Sequence, residues 1–155
     1  MTTIAYRDGV MAADTIGTGG EIRRGSTSKM AKTAIGSIIG LAGQVGMLDE
    51  VVAWLNNGGK REEYPKLPEN GVIHGIIACL DGRVASLSAD GILQWMETDF
   101  MAAGSGNEIA LGAMAMGATA EQAVEIAARF DVYTGGKIET LSLRSPSRPT
   151  EEDAS

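Results

Sequence analysis

Three times along this 155-residue chain an Asp-Gly pair stands between two short runs of β-forming residues. Asp8-Gly9 separates TTIAY from VMAA, Asp81-Gly82 separates VIHGIIACL from RVASLS, and Asp90-Gly91 separates RVASLS from ILQWME. Asp-Gly accepts the positive φ angles of a tight turn, so each pair predicts antiparallel neighbours rather than a crossover. The chain therefore enters a sheet almost at its first residue, and 72–96 forms an antiparallel meander. A Gly-rich connection over 17–20, a strand over 21–24 and a strand within AIGSIIGLAG, whose glycines suit crowding by other backbone, add to the β content.

Helical spacing appears in three places. MLDEVVAWLNNG sets Met47, Leu48, Val51, Val52 and Leu55 on one face, with Asn57-Gly58 as the stop. The spacing is helical again over 107–116 and 120–130, and Thr119 with Gln122 forms a capping box for the last helix. GKREEYPKLPENG is polar, holds two prolines and reads as a loop. KIETLSL is a final strand, and RSPSRPTEEDAS, with no apolar face to bury, is expected to be a disordered acidic tail over 144–155. Residues 1–143 are thus expected to form one α+β domain of antiparallel sheets layered with helices.

Composition narrows the function classes. The net charge is −7, and the 13 Lys and Arg are scattered rather than clustered, which argues against nucleic acid and anionic membranes as partners. The lone Cys79, inside an apolar run, has no intrachain disulfide partner and reads as a buried small hydrophobe in a reducing compartment. With no signal peptide and no apolar run long enough for a membrane span, a cytoplasmic protein is expected.

Phosphate-loop, nucleophile-elbow and C-x-x-C patterns are absent, and the one histidine, His74, lies between apolar residues of a strand and reads as a packed core or edge residue. A histidine-clustered metal site is excluded, and no cofactor is expected. Thr2 offers another chemistry. Removal of Met1 would leave a free α-amine beside the hydroxyl of the same residue, and such an amine, with a pKa of about 7.7–8.0, can act as base for that hydroxyl near neutral pH. A Met-Thr start alone singles out nothing.

Its company does. MTTIAYRDGVMAADT, then SKMAK, then IIGLAGQVG leading into a helix, and finally AAGSGNEIALGA resemble, in order and spacing, proteasome β subunits and the HslV-type bacterial protease. The resemblance covers residues 2 to about 58 and 72 to 143. It implies an N-terminal-nucleophile hydrolase fold, two antiparallel sheets sandwiched between helices (αββα), and a threonine-type endopeptidase with Thr2 as nucleophile. It further implies Asp14 and Lys29 as the acid and base beside the nucleophile, with Lys32 the less favoured lysine. Gly40 is implied as the first choice for the oxyanion amide and Gly43 as the second, Ser105 as the serine bonded to the N-terminal amine, and Asp131 and Thr134 as its buttress.

The partners implied are a peptide or unfolded-protein substrate, a homo-oligomeric ring and a ring ATPase. The chain departs from the family between residues 59 and 71, where a loop stands in place of a second long helix, which loosens the inference of ring and ATPase. With no propeptide ahead of Thr2, removal of Met1 is expected to suffice for activation. Two further readings carry the same residues: an amidohydrolase acting on a small amide, and an inactive proteasome-like structural subunit.

Overall fold

The computed structural model describes residues 2–19, 22–69 and 71–143. The eleven strands of the described residues are β1 (Thr3–Arg7), β2 (Val10–Ala13), β3 (Ile16–Gly19), β4 (Ile22–Ser26), β5 (Met30–Lys32), β6 (Ile38–Gly43), β7 (Ile73–Ala78), β8 (Val84–Leu87), β9 (Leu93–Met96), β10 (Phe100–Gly104) and β11 (Glu139–Ser142). The helices are α1 (Leu48–Asn56), α2 (Asn107–Ala115) and α3 (Ala120–Phe130). One sheet has the order β10-β1-β2-β11 and another β5-β6-β7-β8-β9, with β3 and β4 as a separate ribbon. Every pairing is antiparallel.

The Asp-Gly turns act as expected. Asp8 and Gly9 take φ values of 52° and 80° between β1 and β2, and Gly82 and Gly91 also have positive φ. Alternation along the strands then sorts the side chains into layers. Ile4, Tyr6, Met11 and Ala13 face Met30, Ile38, Ala42, Ile76 and Val84 between the two large sheets. Ala5 and Ala12, pointing the other way, meet Ala110, Met114, Ala123 and Val124 of α2 and α3. Alanine on both sides lets helix and sheet approach closely. On the far face of the second sheet, Ile39, Leu41, Ile73 and Ile77 cover Leu48, Val51 and Trp54 of α1. The order is helices, sheet, sheet, helix, a mixed α+β sandwich. Because β6 is covered on both faces, its sequence is an apolar run without polar alternation.

Among the described residues α1 is the one α-helix on the outer face of the second sheet. The segment 59–71 stays non-helical apart from a single 3-10 turn at Arg61–Glu63, and it is pinned by Tyr64. The ring of Tyr64 meets Trp54 edge-on at 4.8 Å and fills the space a Cβ on Gly91 would need. The Trp54 indole N–H donates to the Lys60 carbonyl at 2.7 Å, closing the loop onto α1.

Three strands were not expected from sequence: β3, within what reads as a glycine connection, β5 and β10. Each is short and lacks local apolar alternation: β3 and β5 are held by pairing with the next strand in the chain, and β10 by its long-range pairing with β1. Cys79 is half-buried rather than buried, because it falls one residue past β7, in the turn where its amide bonds the Arg83 carbonyl. His74 is exposed on β7, not packed in the core. The expected tail, 144–155, lies outside the described residues.

Candidate functional site

The start of β1 is held from three directions. Its backbone is paired to both β2 and β10. Thr3, fully buried, donates its amide N–H to Asp14 Oδ1 at 3.0 Å, and the Asp14 amide returns a bond to the Thr3 carbonyl at 3.3 Å. Asp14 follows directly on β2, so the short first hairpin carries it back beside the chain start. Its carboxylate, 0% exposed, also accepts from Lys29 Nζ at 3.0 Å through Oδ1 and from the Gly135 N–H at 3.0 Å through Oδ2. A carboxylate removed from water must find such donors or lose its charge.

Lys29 is 2% exposed. Burial drives its pKa below the ordinary lysine value, and the attraction and hydrogen bond of Asp14 only partly oppose this. Lys32, three residues on at the exposed end of β5, is not buried in this way. Of the two lysines weighed from sequence, Lys29 is the one that meets Asp14. The pair is therefore a deeply buried cation and anion directly beneath the Thr2–Thr3 junction.

A second network meets the same junction from the helical side. Ser105 lies in the turn between β10 and α2, and Asp131 caps the C-terminus of α3. Asp131 Oδ2 accepts from Ser105 Oγ and Thr134 Oγ1, both at 2.5 Å, and Thr134 Oγ1 lies 2.7 Å from Thr3 Oγ1. Ser105 Oγ also makes a long 3.4 Å contact to the Thr2 carbonyl. Burial works to raise the Asp131 pKa, but the hydrogen bonds from Ser105, Thr134 and the Tyr133 amide outweigh it, leaving the carboxyl below its ordinary value. The structure thus brings Thr2, Asp14, Lys29, Ser105, Asp131 and Thr134 to one place.

The two glycines weighed for the oxyanion role are placed differently. Gly40 faces the inter-sheet core, where an added Cβ would lie 2.8 Å from Ile4 Cγ2 and 2.9 Å from Met11 Sδ. Its lack of a side chain answers to packing. Gly43 ends β6 with φ +95°, and an added Cβ would lie 2.0 Å from the Val72 carbonyl oxygen. The Leu41 N–H bonds back to the Lys29 carbonyl on the β5 side. By strand alternation the Gly43 amide lies on that same edge, past the point where β5 begins.

Sequence reasoning missed the part played by Thr3, which contributes amide, carbonyl and hydroxyl to the two networks. It also missed Gly104 and Gly106, where added Cβ atoms would lie 1.8 Å from the Thr2 carbonyl oxygen and 2.0 Å from Thr3 Oγ1. The doubled threonine and the GSG triplet were the available signals. Neither identifies a close approach without knowing that β10 pairs with β1.

Beside this junction a cleft of about 1150 Å³ opens between the sheets, with Gly43, Gln44, Gly104 and Ser105 at one end and His74, Gln94 and Met96 among its other lining residues. Thr2 itself, 1% exposed, does not line it. It lies behind Gly104 and Ser105, in a chain that begins with Met1. Among the described residues no three His, Cys, Asp or Glu side chains converge on a metal position, and no helix is long and apolar enough to cross a membrane. Chemically, the arrangement offers a hydroxyl residue, Thr2, whose junction with Thr3 is anchored beside a buried ion pair, with acid and hydroxyl groups on its other side.

No protein-family model matches the chain, and no curated protein matches it by sequence. Solved structures do. Thiobacillus denitrificans BPH in complex with epoxomicin superposes with a TM-score of 0.65 at 20% identity, over 93% of this chain and 99% of that one. Thiobacillus denitrificans BPH by itself superposes with a TM-score of 0.66 at 22% identity, over 94% and 99%. At this identity the likeness is one of fold. The chain shares the sandwich of those proteins.

Proposed function

We propose that the chain is a threonine-type peptidase of the proteasome-like, N-terminal-nucleophile kind, and that Thr2 is its nucleophile once Met1 is removed. The observation that carries this reading is the buried Asp14–Lys29 pair hung on the Thr3 amide. A buried ion pair is a poor investment for stability alone, and here it lies one residue from a hydroxyl that would share its residue with the chain's α-amine. The structural likeness to a protein that binds epoxomicin supports the same reading.

In the reaction, Thr2 Oγ1 attacks the peptide carbonyl carbon while its proton passes to the Thr2 α-amine. Collapse of the tetrahedral adduct breaks the C–N bond, and the proton leaves with the departing amine. Water then attacks the ester, the α-amine again accepting the proton and returning it to Thr2 Oγ1. The Lys29 ammonium favours ionisation of the hydroxyl, and Asp14 keeps that ammonium charged and in place. Ser105, with Asp131 and Thr134 behind it, orients the α-amine. The amide of Gly43 serves the oxyanion in this scheme, and Gly40 does not. A homo-oligomer fed with unfolded polypeptide, by a ring ATPase or without one, completes the proposal.

The test is mass spectrometry of the purified protein before and after incubation with epoxomicin. The expected masses are those of a chain beginning at Thr2 and of its adduct on Thr2. A peptide-cleaving protein that retains Met1, or one that forms no adduct at Thr2, would overturn the reading.

A further inference from the structure

The cleft beside Thr2 has an unusual lining. Charged residues make up 21% of the chain, so about four of the twenty lining residues would carry a charge at that frequency. None does: among the described lining residues there is no Asp, Glu, Lys or Arg. Its walls are apolar at Ile76, Leu87, Met96 and Met101, and its polar groups are hydroxyls and amides such as Ser86 and Gln94, with the imidazole of His74. A volume of about 1150 Å³ also exceeds the roughly 300–1000 Å³ that suits a single small ligand. It is room for several residues of a peptide.

Two strands with open edges border this space. Among the described residues β10 pairs only with β1, and β9 only with β8. The two are joined through residues 97–99, so they diverge from a common corner. From that corner β10 runs toward Gly104, which touches the Thr2 carbonyl. An extended peptide can add to such an edge through main-chain hydrogen bonds while its side chains enter the adjoining pockets. Placing a charge against the apolar walls would take it from water with no carboxylate, ammonium or guanidinium among the described lining residues to pair with it.

We infer that this inter-sheet cleft is a substrate subsite, lying along β10 and reaching away from Thr2, which selects uncharged apolar side chains two or more residues from the cleaved bond. The inference rests on the proposed peptidase reading and extends it: it names the substrate as an extended apolar polypeptide rather than a small amide. Met96 and Met101, unbranched and polarizable, let the walls adapt to different apolar groups. Gln94 and Met96 sit on the same side of β9, both are exposed, and neither belongs to the networks around Thr2.

The experiment uses the full chain and fluorescent acetylated pentapeptides with an apolar residue, Lys or Glu at one position, bound to the Thr2→Ala protein and cleaved by the wild type. The wild-type walls should favour the apolar peptide over both charged ones. Gln94→Glu, and separately Met96→Glu, should shift the preference toward the Lys peptide by up to about fivefold, the upper end for an exposed ion pair, mainly through KM. Unchanged peptide preference in both variants would overturn the inference. Labelling of Thr2 by a small sulfonyl fluoride, too short to reach β9, reports separately on the nucleophile. If Thr2 labels and the preference does not move, the cleft proposal alone fails. If Thr2 does not label, the peptidase reading fails, and binding to Thr2→Ala still decides what the cleft selects.

Discussion

Replacing Lys29 by Met keeps most of the side-chain volume and removes one charge from a site with no access to water. Asp14, 0% exposed, then retains only the Thr3 and Gly135 amides as donors. Breaking a buried pair in this way costs about 3–5 kcal/mol, a large part of the roughly 5–15 kcal/mol that holds a domain of this size together. Asp14→Asn in the Lys29→Met background removes the orphaned charge while an amide oxygen can still accept from Thr3. The double variant should recover about 1–3 kcal/mol of the loss. Urea unfolding followed by the fluorescence of buried Trp54 measures all four proteins of the cycle. Epoxomicin labelling should be lost in the double variant even though its fold is regained, which separates the chemical role of the pair from its structural one. A loss below about 1 kcal/mol for Lys29→Met, the level of an exposed pair, would refute the argument from burial, and labelling of the double variant would refute the role given to the charge.

Two other predictions concern the second network and the glycines. Because hydrogen bonds depress the Asp131 pKa in the folded protein, its ionised form contributes stability that is complete above the unfolded carboxyl value and lost as pH falls through the folded one. Asp131→Asn should therefore flatten the acid limb of the stability–pH curve, and an unchanged slope below about pH 4 would contradict the hydrogen-bond assignment. Gly40→Ala should cost about 1–3 kcal/mol by crowding Ile4 and Met11 while leaving Thr2 labelling intact. Gly43→Ala, with φ +95° and the Val72 carbonyl in the way, should slow labelling. Equal labelling rates in the two variants would remove the distinction drawn between these glycines.

The sequence by itself determined what depends on neighbours in the chain. The Asp-Gly turns place β1 against β2 and order the meander, helical spacing and the Thr119–Gln122 box locate α1, α2 and α3, and the pattern around Thr2, Asp14, Lys29 and Ser105 is what the proposed chemistry starts from. What the tertiary structure decided are the matters set by distant pairings. β10 reads as a connection, yet it is a strand because β1, about a hundred residues earlier, supplies its hydrogen bonds. Pairing of β10 with β1 is also what brings Gly104 against Thr2, and the packing of β1 on the second sheet is what turns Gly40 into a core residue and leaves Gly43 at the cleft. Thr3 entered the site for the same reason. Its three polar groups are satisfied by residues 11 and 131 positions away, and no local pattern records a partner that only folding brings near.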